Sequence, residues 1–69
     1  MKTYLIRTDA WLSDEITAEN IDAAITEAFR EDGITSTEEL KSHIEAIDGA
    51  WVWIDEDGVR VFEVGSHRG

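Results

Sequence analysis

Sixteen carboxylates and six Lys or Arg side chains share a chain of 69 residues, for a formal net charge of −10. Any chemistry in this sequence has to be argued first from those acids. Adjacent acids such as Glu38-Glu39 can do general acid–base work only in a cleft that raises one of their pKa values. A chain this short leaves little room for such a cleft. Asp55-Glu56-Asp57-Gly58 looks superficially like part of a calcium loop, yet it lacks the spaced oxygens and distal Glu of the EF-hand, and a turn is the stronger reading. His43 and His67 lie far apart, and neither has a spaced His, Cys or acidic partner in a metal pattern. Ser13, Ser36, Ser42 and Ser66 have cap or loop explanations and no nucleophile motif. The five glycines fit turn, cap or tail roles, not a phosphate loop. The expectation is a protein that is not an enzyme, with no catalytic residue, no cofactor and no metal.

What remains is negative charge held out on a scaffold. Duplex DNA carries one charge per ~1.7 Å of axis, and proteins that grip it offer Lys and Arg to those positions. Carboxylates at regular spacing on a stiff framework imitate that display. The expected partner-binding set is Asp14, Glu15, Glu19, Asp22, Glu38, Glu39, Glu45, Asp55, Glu56 and Asp57, with the loop and turn acids the most exposed. Glu27 and Glu31 also leave the apolar stripe of their helix. The same charge disfavours direct binding to nucleic acid or to an anionic membrane and favours a basic partner. The plain alternative is solvated faces or adaptation to high salt, and only two of the six basic residues being Lys fits the latter.

These acids need elements to position them. Ala50 to Ile54 and Val59 to Val64 are β-branched and aromatic runs around the acidic turn, a strand–turn–strand pattern. A three-residue loop with Asp55 opposite Val59 is favoured, closed by a bulge at Gly58. That register puts Trp51, Trp53, Val59 and Val61 on one face and Val52, Ile54, Phe62 and Val64 on the other; a one-residue slip would reassort the second strand. Both faces are apolar, so the face left uncovered by helices is a second binding candidate, with Trp51, Trp53 and Phe62 as its possible hydrophobic interface. Arg60 can lie over a Trp ring there. Trp11 and its loop folding over this face is the alternative.

Thr3 to Thr8 reads as strand one, with Tyr4 and Ile6 on one face. Asp9 to Ile16 reads as a loop with Trp11 and Leu12 as apolar plugs and Ile16 as a staple. Thr17 is the expected N-cap of helix one, with Glu19 in its first turn. That helix runs to about Asp32, with Ile21, Ala24, Ile25, Ala28 and Phe29 as its stripe and Gly33 after its end. Thr35 and Ser36 both fit a capping box for helix two. It runs from about Thr37 to Ile47, buries Leu40, Ile44 and Ile47, and allows Lys41 to pair with Glu38 and Glu45.

The order β-α-α-β-β predicts an α+β fold: a three-stranded antiparallel sheet with two helices packed on one face. Residues 1–69 form one small acidic domain, with 65–69 as a frayed tail. Which hairpin strand pairs with strand one stays open. There is no cysteine, no proline and no apolar stretch long enough for a membrane span, which fits a cytoplasmic protein.

Across its whole length the chain resembles small, acidic, phage-encoded anti-CRISPR proteins of the DNA-mimic kind. The resemblance is carried by size, charge, the compact α+β pattern, and the runs Ser13-Asp14-Glu15, Glu38-Glu39 and Asp55-Glu56-Asp57. It implies an inhibitor in a host cytoplasm that occupies the basic groove of a Cas complex where target DNA is read. Such a protein would be a monomer or weak homodimer, with no membrane partner. The rival expectation is a small structural or interaction module that binds a partner or itself through the Trp-rich hairpin.

Overall fold

The computed structural model describes residues 1–65. The elements are β1 (Lys2–Thr8), β2 (Ile16–Ala18), α1 (Ile21–Ala28), a 3₁₀ turn (Arg30–Asp32), α2 (Thr37–Glu45), β3 (Trp51–Glu56) and β4 (Val59–Gly65). The strands form one antiparallel sheet in the order β2-β1-β3-β4. The α+β class holds, and β3 is the partner of β1. The sheet has four strands, not the three expected.

The added strand is β2, whose Ile16, Thr17 and Ala18 pair with Tyr4, Thr3 and Lys2. Three residues carry no periodicity of their own, so this strand exists only because β1 offers a partner edge. Thr17 is therefore a strand residue, as its β-branched side chain allows, and Ile16 packs against the core from β2. The N-cap role passes to Asn20, whose side chain accepts from the Ala23 amide at 2.9 Å. Glu19 thus precedes the helix, and Asp22 takes the acidic place in its first turn. The helix stops at Ala28, and the chain tightens into the 3₁₀ turn before Gly33 leaves it in the left-handed region. The Gly33 stop was legible; the change of helix type before it was not.

Ser36 wins the choice of N-cap for α2 by accepting from the Glu39 amide at 3.2 Å. Leu40 and Ile44 are buried as expected, but α2 ends at Glu45 and Ile47 is half exposed. Past the helix end, the i+3 spacing no longer aims Ile47 at the core. Lys41 pairs with neither Glu38 nor Glu45; the ion pairs among the described residues are Lys2–Glu56 and Arg60–Asp55.

The hairpin turn is tighter than expected. Glu56 faces Val59, leaving the two-residue loop Asp57-Gly58 with φ of 50° and 87°. Two positive φ values in an Asp-Gly pair are the type I′ arrangement, whose twist matches the flanking strands. The register then shifts: Asp55 faces Arg60, but Ile54 faces Phe62. Val61 is the extra residue of a bulge. It returns Phe62 and Val64 to the face of Val52 and Ile54, so that expected grouping survives. Val59 does not stay with the tryptophans; it sits opposite Glu56, which faces Tyr4.

The core is one cluster on that face. Tyr4, Ile6, Val52, Ile54 and Val64 from the sheet meet Ala24, Ile25, Phe29, Ile34, Leu40 and Ile44 from the helical layer. Burial of each large side chain contributes roughly 1.5–3 kcal/mol. Gly65 ends β4 opposite Trp51 and does not belong to the tail. A Cβ on it would run into the Ala50 carbonyl and Trp51. The expected tail at 66–69, with Ser66 and His67, lies outside the described residues.

Candidate functional site

No charged side chain is buried among the described residues. Asp14, Glu15, Glu19, Asp22, Glu38, Glu39, Glu45 and Asp57 are exposed, and Asp55 and Glu56 are half-buried. Hydrogen bonding divides these ten acids into two equal groups.

Asp22, Glu39, Asp55, Glu56 and Asp57 are engaged inside the fold. Glu56 accepts from the Tyr4 hydroxyl at 2.9 Å and pairs with Lys2 at 3.4 Å. Burial, reinforced by the Glu56 hydrogen bond, pushes the Tyr4 phenol up to about 12. Asp55 meets the Arg60 guanidinium at 3.3 Å. Asp57 accepts from the Thr3 amide at 2.9 Å and returns its own amide to the Thr3 carbonyl at 2.8 Å. The turn is thereby stitched to the start of β1.

Glu39 accepts from the Thr35 hydroxyl at 2.6 Å and the Thr35 amide at 2.8 Å. Those bonds, the hydroxyl first, hold its carboxyl below the usual range. Asp22 accepts from the Thr37 amide at 3.1 Å, which ties the first turn of α1 to the start of α2. Each carboxylate also lies where a helix N-terminus favours an anion.

The side chains of Asp14, Glu15, Glu19, Glu38 and Glu45 make no hydrogen bond or ion pair among the described residues. Glu15 joins Asp55 and Asp57 around a cleft of about 300 Å³ at the hairpin tip. Glu38 and Glu39 line another of about 600 Å³ with Asp32 and His43. Glu19 lies just before α1 and Glu45 ends α2, in neither cleft. The expected set is therefore several separate acidic patches, not one row.

Acids outside the expected partner-binding set also take defined places. Asp9 accepts from the Trp51 amide at 3.2 Å. Glu27, Glu31 and Asp32 gather with Trp11 and Arg30 around a third cleft of about 350 Å³. Their helical spacing was a usable signal; the position of Trp11 beside them was not, because it depends on the loop.

The aromatic candidates also divide. Trp51 and Trp53 lie on the sheet face away from the core, with ring centroids 4.7 Å apart. Arg60 sits 4.1 Å over the Trp53 ring, the cation–π contact expected there. Phe62 is on the opposite face against the core, so it does not join them. Trp11 does not fold over the Trp51–Trp53 face; its ring packs on Phe29 at 5.2 Å.

Among the described residues, no group of three or more His, Asp or Glu side chains is arranged to hold a metal ion. No helix there is long and apolar enough to cross a membrane. Comparison with protein-family models, curated proteins and solved structures finds no significant match to this chain.

Proposed function

We propose that the protein binds the basic, nucleic-acid-binding surface of another protein and excludes DNA from it by presenting DNA-like negative charge. The observation that carries this reading is that, among the described residues, only Asp55 and Glu56 of the sixteen carboxylates are held in ion pairs. The molecule is 33 Å in its longest dimension, close to one duplex turn of ~34 Å. A duplex of that length displays about twenty phosphates, so the charge density is of the same order. The five acids without partners among the described residues, Asp14, Glu15, Glu19, Glu38 and Glu45, are the core of the binding set. Asp55, Glu56 and Asp57 contribute field while also serving the fold. A Cas surveillance complex, with its basic target-DNA groove, is the partner class we favour, and the role is that of a non-enzymatic cytoplasmic inhibitor.

Competition tests this. DNA-binding proteins, Cas surveillance complexes among them, are titrated with the protein while duplex binding is followed by anisotropy. DNA is displaced at low salt, and the apparent affinity falls at least about tenfold between ~50 and ~200 mM salt. Replacing the five acids by Lys changes the charge by two at each site, bringing −10 to zero. The displacement disappears in that variant. Displacement that survives the five reversals, or that ignores salt, rejects the reading.

The paired rings of Trp51 and Trp53 on the helix-free face favour a second reading, a module binding a partner or itself through the hairpin. Under that reading Trp53→Ala abolishes association while the acid reversals change little.

A further inference from the structure

Trp11 is 40% exposed although it is one of the largest apolar side chains in the chain. It is also held firmly. The Thr8 amide donates to the Trp11 carbonyl at 2.8 Å, and the Thr8 hydroxyl oxygen accepts from the amides of Ala10 and Trp11 at 3.0 Å each. The next residue, Leu12, bridges to Arg7. One side of the indole packs on Phe29. The ring is one wall of the third cleft, whose rim carries Glu27, Glu31 and Asp32 against a single cation, Arg30. The side chains of those three acids have no hydrogen-bond or ion-pair partner among the described residues, and Arg30 pairs with none of them.

From this combination we infer that the Trp11 cleft receives an arginine side chain of the basic partner. The inference rests on the proposed function and specifies one of its contacts. A planar guanidinium stacks on an indole face and presents its donors as a fork to carboxylates, whereas an ammonium is a compact, strongly hydrated point charge. A wall of Trp beside unpaired carboxylates fits the first geometry. The cleft keeps two negative charges in excess over Arg30 and so excludes an anion. The Thr8 turn holds the Trp11 backbone and Phe29 packs against the ring, so less ordering has to be supplied on association. Aromatic residues at the centre of a contact, ringed by polar groups, are where binding energy concentrates.

The test titrates the protein with an oligoarginine peptide and with an oligolysine peptide of equal length, following the Trp indole N–H resonances by NMR. The Trp11 resonance moves with oligoarginine, which binds about fivefold more tightly than oligolysine. Trp11→Ala removes that preference. Because Trp11 also packs on Phe29, a second variant, Glu27→Gln with Glu31→Gln, leaves the ring in place and weakens oligoarginine binding about tenfold, within the range of paired charges. Equal, salt-sensitive binding of both peptides with an unmoved Trp11 resonance overturns the arginine cleft and leaves the proposed function standing. Absence of salt-sensitive binding to either peptide overturns both.

Discussion

At the hairpin tip three consecutive acids, Asp55, Glu56 and Asp57, each hold an internal partner, whereas Glu27, Glu31, Asp32 and Glu38 on the helical side hold none among the described residues. The residue type is the same in both regions; what differs is the neighbouring backbone. The tip lies beside the start of β1, where the Thr3 amide, the Tyr4 hydroxyl and Lys2 all need or offer a partner. Beyond their first turns the outer faces of the helices offer few such groups, because the backbone amides there are already used within the helix. Only the second region is surplus to the fold, and a carboxylate without an internal partner gives up hydration but no internal bond by turning to another molecule. A net charge of −10 therefore overstates the charge available for binding and locates it badly.

The largest effect that sharpens this contrast is on binding. Reversing Asp14, Glu15, Glu19, Glu38 and Glu45 to Lys should abolish DNA displacement, while the thermal midpoint stays close to that of the parent. Each exposed substitution is worth within about ±0.5 kcal/mol. A large drop in the midpoint would mean that the two groups of acids are not separate after all.

At the tip the expectation inverts. Asp57→Ala loses the bond to the Thr3 amide and places a Cβ-bearing residue at a φ of 50° without a polar side chain to support it. The cost is about 2 kcal/mol, or roughly 10 °C in midpoint, with DNA displacement reduced only modestly. Asp57→Asn keeps both the acceptor and the tolerance for positive φ, and should recover most of the loss. Calorimetry of the two variants reads this directly.

Tyr4→Phe is next, at about 1 kcal/mol near neutral pH for the lost hydroxyl bond. Its pH dependence has a definite sign. The Tyr4 phenol titrates higher in the folded state than its ordinary value, at about 12. The stability it contributes is complete below the unfolded value of ~10 and is lost as pH rises through the folded one. Alkaline melts of the wild type should fall across that window, and melts of the variant should lack this component.

Glu39→Ala has a smaller effect with the opposite sign in pH. Its carboxyl is held below the ordinary range by Thr35. Its contribution is present above that range and disappears as pH falls through the lowered folded value. Loss of this N-terminal bonding should lower the thermal midpoint slightly at neutral pH and leave it unchanged in strong acid. The smallest effect is Glu31→Gln, within about 0.5 kcal/mol by urea titration at neutral pH. A clearly destabilised Glu31 variant would break the distinction between the two regions.

Much of this architecture is legible in the sequence. Ile25, Leu40 and Ile44 declare their helices by spacing, and Val52, Ile54, Phe62 and Val64 declare one face of a hairpin by alternation. The stop at Gly33 follows from local chemistry, and the same chemistry narrows the cap of α2 to Thr35 or Ser36 without choosing between them. β2 was not legible, because three residues become a strand only when another strand lies beside them. The bulge at Val61 was also hidden, since Val59 and Val61 on either side of Arg60 suit a strand in neighbouring registers. The acids were easy to find and hard to sort: nothing local distinguishes Glu38 from Glu39, although one is unengaged and the other binds Thr35 through two hydrogen bonds.

By itself the sequence determined the class of fold, the composition of the core and the sign of the surface, because these depend on periodicity and on summed charge. Only the tertiary structure decided which carboxylates are available, since that depends on which amide, hydroxyl or cation comes within about 3 Å of each oxygen. The chain brings Asp57 to Thr3 and Glu56 to Tyr4 across more than fifty residues. It brings Trp11 beside Glu27 and Glu31 in the same way. Contacts over such separations are made by the packed sheet and helices, and no local pattern encodes them.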